Sequence, residues 1–323
     1  MHCERVVPGL FAAAAATRAP ALELLLARGR RLGAGSQRLE GWLREAFGLG
    51  ELPLAAGALT ISDAGEAFWA RADPVHLRLM RDRLILVPAA AFSISAVEAS
   101  ALCEALNRHF VALTFEPVEP SRWCVRLAED LQGVSTENPL DLAGREVGLA
   151  MPAAGHQLVN EAQMLLHAHP LNDAREARGE PAVNSVWVWG AGRAPRVPPA
   201  PWQSVSADDP LALGLARAAG SRQRTLVGGA AAWLERSPEE GRHLVVLDAL
   251  RTPLVLSQQA ECRAALETLE RDWFAPLLGA LRAGRVGMVT VHVPGGGERS
   301  AFETIRGDLR RFWRRPRALE HYA

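Results

Sequence analysis

Lysine is absent from this chain: all 36 basic residues are arginine, and 36 acidic residues match them, so the net charge is zero. That balance excludes the diffuse cationic field on which non-specific nucleic-acid binding depends. Cysteine is scarce, with Cys3, Cys103, Cys124 and Cys262 scattered along 323 residues. No CxxC pair or Cys/His spacing occurs, which argues against a zinc site. The count also excludes a disulfide-stapled secreted scaffold and favours a reducing cytoplasm. Long hydrophobic runs are missing as well. No stretch approaches the roughly 18 apolar residues of a membrane span, so no membrane partner is expected. The N-terminal "MHCERVVPGLFAAAAATRA" has a weak likeness to a signal peptide. Pro8 and Gly9 interrupt it, however, and it passes directly into an amphipathic stretch, so a cytoplasmic location is the expectation.

What is present suffices for real cores. Apolar residues make up 49% and charged residues 22% of the chain, proportions that exclude wholesale disorder. The length fits two domains. "PALELLLARGRR" (20–31) reads as a helix, with Pro20 in its first turn and Leu22, Leu25 and Leu26 along one stripe. "SQRLEGWLREAFGLG" (36–50) reads as another, with Ser36 as its cap. "DRLILVP" (82–88) is a strand. "SAVEASALCEALNRHF" (95–110) is a helix opened by a capping box of Ser95 and Glu98. Two strands then bracket the turn 116–122, so this region is a compact α+β unit. A helix over 156–169 is followed by a short one closed by Gly179, and "NSVWVWG" is a strand. "APRVPPAPW" (194–202) is proline-rich, stiff and suited to connecting domains. Beyond it, "HLVVLDAL" and "VGMVTVHV" are continuous apolar runs separated by a long helical segment, 259–284. That is the pattern of a βαβ unit with buried parallel strands. The basic cluster "RGDLRRFWRRPR" (306–317) reads as a solvated helix end.

One stretch concentrates polar function. In "HAHPLNDAREARGEPAVNSVWVWGAG" (167–192), His169, Asn172, Arg175 and Asn184 offer a charge and donors suited to a phosphate or carboxylate. Gly190 and Gly192 allow backbone N–H groups to come close to such an anion. The competing reading is structural: the asparagines cap turns, the arginine pairs with a nearby glutamate, and the tryptophans are core.

The same stretch, with "SVSADDPLALGLARAAG" (204–220) downstream, resembles the archaeal-type cofactor-independent phosphoglycerate mutases of the alkaline phosphatase superfamily. "NEAQMLLHAHPLNDAREARG" and "ADPVHL" make the chain look closest to the RpfE-type bacterial proteins, which are labelled regulatory or mutase-like. The resemblance implies an α/β fold: an alkaline-phosphatase-like parallel-sheet core with helices on both faces, formed by residues 1–64 and 203–323, and an inserted smaller α+β domain over 65–202. Active relatives use two metal ions, usually Mn or Zn, and a serine that is transiently phosphorylated. Paired dications require several carboxylates and histidines. At the three places where the resemblance puts them, this sequence departs. "ERVVPGLFA" has no aspartate. Asp248 lacks a histidine four residues on, where Thr252 stands. His292 lies within its strand with no Asp-His pair after it. "GAGSQRLEGWL" places Ser36 where the nucleophile belongs, but Gln37 replaces the adjacent acid. The expectation is therefore a metal-free, catalytically degenerate protein. It binds an anionic metabolite or a protein partner in a regulatory role. Two alternatives stand beside it: an active mutase or phosphotransferase with a rearranged site of Ser36, Asp248 and His292, and a pure interaction module that uses its C-terminal arginines.

Overall fold

The computed structural model describes residues 1–14, 17–33, 38–50, 53–80, 83–128, 135, 137–147, 153–236, 240–295 and 301–323. In chain order its strands are β1 (His2–Val6), β2 (Arg30–Leu32), β3 (Phe68–Met80), β4 (Arg83–Pro88), β5 (Thr114–Glu119), β6 (Arg122–Leu127), β7 (Ser185–Gly192), β8 (Ser204–Ser206), β9 (Arg222–Arg224), β10 (Arg242–Val246), β11 (Met288–His292) and β12 (Ala301–Ile305). The helices are α1 (Leu10–Ala13), α2 (Pro20–Arg28), α3 (Leu39–Ala46), α4 (Ala56–Thr60), α5 (Ala96–His109), α6 (Ala153–His167), α7 (Pro170–Ala177), α8 (Pro210–Ala218), α9 (Ala230–Arg236), α10 (Arg251–Val255), α11 (Gln259–Leu269) and α12 (Ala275–Ala283). The protein is an α/β protein whose chain forms two compact units, Met1–Gly50 with Val197–Ala323, and Glu51–Arg196.

The first unit is built on a seven-stranded sheet in the order β2-β12-β11-β1-β10-β8-β9. The pairings from β11 through β1, β10 and β8 to β9 are all parallel, and β12 alone runs against its neighbours. Parallel strands covered on both faces need apolar side chains on each, which is why 243–250 and 286–293 read as continuous runs. One face, through Cys3, Val245, Val289 and Val291, packs on Leu22 and Leu25 of α2, Leu266 of α11, and Leu277 and Leu281 of α12. α11 and α12 are joined by a π turn, Glu270–Phe274, in which Trp273 and Phe274 are buried. α3 covers the opposite face, with its Trp42 ring 5.0 Å from the His292 ring and Phe47 stacked at 5.1 Å on Trp202. Segment 306–317 is not the end of a helix: it opens with a single 3-10 turn, Arg306–Arg310.

The second unit is a five-stranded antiparallel sheet with β3 at its centre, paired to β4, β6 and β7, and with β5 outside β6. Leu102 and Leu106 of α5 and Leu158, Ala162 and Leu166 of α6 pack against Trp123, Val125, Val186 and Val188. The capping box of α5 is present: the Ser95 side chain accepts from the Glu98 N–H, and Glu98 accepts from the Ser95 N–H, an arrangement worth about 1 kcal/mol. The other face of the sheet carries α4. Residues 51–64, expected in the first unit, thus belong to the second, and 197–202 move the other way. The physical reason is close packing: a Cβ on Gly57 would lie 2.4–2.6 Å from the backbone of Ala70, so α4 rests directly on β3.

Candidate functional site

The polar groups of the first unit gather on the sheet face under α3. Strand register places His2 and Glu4 of β1 on one surface with Thr290 and His292 of β11 and Arg242 of β10. Glu4 is 3% exposed. Its Oε1 accepts from Nε and Nη2 of Arg242 at 2.9 and 2.8 Å, and its Oε2 lies 3.1 Å from Nε2 of His292. His2 bonds Thr290 Oγ1 through Nε2 at 2.9 Å and holds Nδ1 3.9 Å from Glu4. Burial by itself would raise the Glu4 carboxyl. The hydrogen bonds from His292 and Arg242 more than reverse this, and the group is held at about 2. Burial lowers His2, with Glu4 opposing. The carboxylate is therefore charged at neutral pH, and it holds His292 and Arg242 in place.

The carboxyl ends of the strands decide whether two cations fit. β1 ends in Val7-Pro8, β10 in Leu247-Asp248 and β11 in Val293-Pro294. Val7, Leu247 and Val293 are buried, and the ends are tied by hydrogen bonds from Val7 N–H to His292 O at 2.8 Å and from Leu247 N–H to Val6 O at 2.8 Å. Asp248 and His292 leave strands that flank β1, so their backbones stand about 10 Å apart, twice the usual strand spacing. His292 is already engaged by Glu4. Ser36, the third member of the expected triad, lies outside the described residues. Among the described residues no three His, Cys, Asp or Glu side chains form a metal-binding group. Among the described residues, the donor set at these strand ends is one carboxylate beside buried valine and leucine, which does not fit a pair of divalent cations. The cysteines offer no alternative nucleophile. All four are buried and free, and burial pushes the Cys103 and Cys124 thiols up to about 12.

The stretch read as an anion site lies wholly in the second unit, and the side-chain donors of Asn172, Arg175 and Asn184 are engaged by protein oxygens there. Nδ1 of His169 caps α7 by accepting from Leu171 N–H at 3.2 Å. Asn172 donates to Leu166 O and Val183 O at 2.7 and 3.0 Å and accepts from Val183 N–H at 2.8 Å. Asn184 makes the same reciprocal pair with the Leu77 backbone, at 2.7 and 2.9 Å. Arg175 is fully buried. Its Nε, Nη1 and Nη2 donate to Pro181 O at 2.9 Å, Glu98 Oε1 at 3.0 Å and Ser93 O at 2.8 Å. Gly190 and Gly192 have φ of +59° and +153°, and a Cβ on them would lie 2.7 and 3.0 Å from the Cβ atoms of Ala56 and Ala55. They are glycines so that β7 can take α4 at close range, not so that backbone can reach an anion. In this structure Asn172, Arg175 and Asn184 brace the second unit.

Sequence reasoning missed Glu4, His2 and Arg242. A signal was available: His2 and Glu4 alternate along a strand that is parallel-paired on both sides, where two polar residues on one face need partners. It also missed Arg5, on the opposite face. Arg5 is fully buried between Trp233 and Trp273, its guanidinium carbon 4.3 and 5.5 Å from their rings. It makes one hydrogen bond, from Nη1 to Glu4 O at 3.1 Å, while Nε and Nη2 have none.

Sheet order and helical cover define the class: an α/β protein whose first unit centres on a mainly parallel sheet. A solved structure of a Pyrococcus horikoshii protein shares the fold, with a TM-score of 0.52 at 14% identity, covering 94% of this chain and 86% of that one. No family model matches the chain. Among curated proteins it is similar to the 2,3-bisphosphoglycerate-independent phosphoglycerate mutase of Methanosarcina barkeri, 29% identical over 159 residues, 46% of this chain and 39% of that protein. The protein of the same name from Methanosarcina mazei is 25% identical over 206 residues, 56% of this chain and 50% of that protein. The chain thus spans half or less of the length of these relatives. It is a phosphoglycerate-mutase-like protein.

Proposed function

We propose that this chain is a catalytically degenerate relative of the phosphoglycerate mutases that acts by binding, in a regulatory role, in the bacterial cytoplasm. The observation that carries the reading is the donor set at the ends of β1, β10 and β11. A serine hydroxyl exchanges phosphate in this chemistry only when cations neutralise the charge and lower the barrier, and Asp248 is the one carboxylate at those ends among the described residues. His292 is held by Glu4 rather than offered to a cation. A cytoplasmic location is supported by four free, buried cysteines, and no described helix is long and apolar enough to cross a membrane. Of the two modes of binding, an anionic metabolite or a protein partner, the partner is the one we favour, because Asn172, Arg175 and Asn184 already bond to the protein itself.

The test is metal content and turnover. Purified protein dialysed against Mn and Zn salts is expected to retain less than one ion per chain and to leave 2- and 3-phosphoglycerate unconverted. Two tightly held ions with turnover that is lost in Asp248→Asn would instead establish the active mutase with a rearranged site.

A further inference from the structure

Residues 306–317, "RGDLRRFWRRPR", carry six arginines against one acid in a chain whose net charge is zero. That acid, Asp308, is engaged by Arg311 at 2.9 Å and by the Ile305 N–H at 3.1 Å. The segment is anchored at both ends. Arg28 donates to the carbonyl of Leu309, Arg311 to Arg28 O at 3.2 Å and Arg314 to Gly29 O at 2.8 Å. Beyond it, Leu319 is fully buried, the Tyr322 ring packs edge-on against Phe302 at 6.0 Å, and Tyr322 Oη accepts from Arg317 N–H at 3.1 Å.

Between these anchors the chain arches outward with its largest apolar side chains on the outside. Phe312 is 77% and Trp313 66% exposed, and their rings meet edge to face at 5.3 Å and 82°. Isolated exposed apolar residues need no explanation, but two adjacent aromatics held out by a fixed backbone and flanked by arginines form a patch. Arg306, Arg310, Arg314, Arg315 and Arg317 of the arch are exposed around them, and Arg31 of β2 is tied in through Tyr322 O at 2.7 Å.

We propose that this arch is a docking surface for an anionic lipid bilayer. The combination suits that partner: tryptophan and phenylalanine favour the headgroup level of a membrane, and clustered arginines are attracted to anionic headgroups within a Debye length. A single-stranded nucleic acid fits less well. Successive bases stack parallel to one another, and two rings 82° apart cannot both lie flat on them. This attachment is peripheral and is independent of the mutase-like reading.

The test is sedimentation of the full chain with vesicles of phosphatidylcholine alone and of phosphatidylcholine mixed with phosphatidylglycerol, at low and high salt. Binding is expected with the anionic vesicles only and is expected to weaken as salt rises. The variants Phe312→Ala/Trp313→Ala and Arg310→Ala/Arg315→Ala/Arg317→Ala should each weaken it by about tenfold or more. Their melting temperatures should match the parent, because the replaced side chains are exposed. Equal binding to both vesicles, no binding to either, or retention of full binding by both variants would overturn the proposal. So would a chain that ignores vesicles and is held instead by single-stranded RNA or an acidic polypeptide.

Discussion

Each unit of this protein buries one arginine completely, and the two are held in opposite ways. In the second unit, Arg175 directs each guanidinium nitrogen to an oxygen, one of them on Glu98, and lies 5.7 Å from the Phe92 ring. In the first, Arg5 lies between Trp233 and Trp273 with one carbonyl partner and two donors unmet. A buried charge that is fully partnered locks its surroundings, because removing it strands the partners. A charge held by ring faces locks little, because ring faces lose nothing by meeting an apolar chain. Arg175 is therefore a keystone of α5, α7 and the turn at Pro181, whereas Arg5 is replaceable.

The largest expected effect follows directly. Arg175→Met leaves the carbonyls of Pro181 and Ser93 without this donor and Glu98 Oε1 with Arg178 alone, and should destabilise the second unit by about 2–4 kcal/mol, read by chemical denaturation with hydrogen exchange resolving the unit. Arg175→Lys should recover little, since one ammonium cannot serve three oxygens set in a fork. A loss below about 1 kcal/mol in Arg175→Met would dissolve the contrast.

An effect of intermediate size concerns the counter-charge in the first unit. The Glu4 carboxyl sits at about 2 in the folded chain against 4.5 when exposed, so the unfolded chain binds the extra proton. The stabilisation, about 3 kcal/mol, is complete above pH 4.5 and is lost as pH falls toward 2. The lowered His2 acts in the same direction from its ordinary 6.5 downward. Stability of the first unit measured against pH should fall on the acid side, and Glu4→Gln should be less stable at neutral pH with a flatter acid limb. An unchanged limb in Glu4→Gln would place the acid sensitivity elsewhere.

The smallest effect is the one that sharpens the comparison most. Arg5→Met removes two unmet donors and keeps the volume between the tryptophans, so it should lie within about 1 kcal/mol of the parent or be more stable. A loss as large as that in Arg175→Met would mean the ring faces hold the charge as firmly as oxygens do.

Much of the local structure could be read from residues alone. The Ser95/Glu98 box, the apolar runs of β10 and β11, and the proline-rich stretch 194–202, where the chain returns to the first unit, are signals spanning a few neighbours. β3 was not legible. Its 13 residues include Asp73-Pro74, which ordinarily argues against a central strand. Proline is tolerated there because β6 pairs only as far as Arg71 and β4 begins at Val75, so that edge asks no N–H of residue 74. The site fared worse. The residues of 167–192 carry functional chemistry in their side chains, but those chemistries are used on oxygens far along the chain: the Leu77 backbone for Asn184, the Ser93 carbonyl and the Glu98 carboxylate for Arg175.

Residue order by itself was enough to read the capping box of α5, the apolar runs of β10 and β11 and the helical stretches of α2 and α5. These follow from periodicity and composition over short spans, which no partner can alter. Tertiary structure alone decided what the polar residues do. A histidine, asparagine or arginine is a ligand donor or a structural brace according to which oxygens and ring faces the fold brings within about 3–5 Å, and those can come from residues 288 positions away, as with Glu4 and His292.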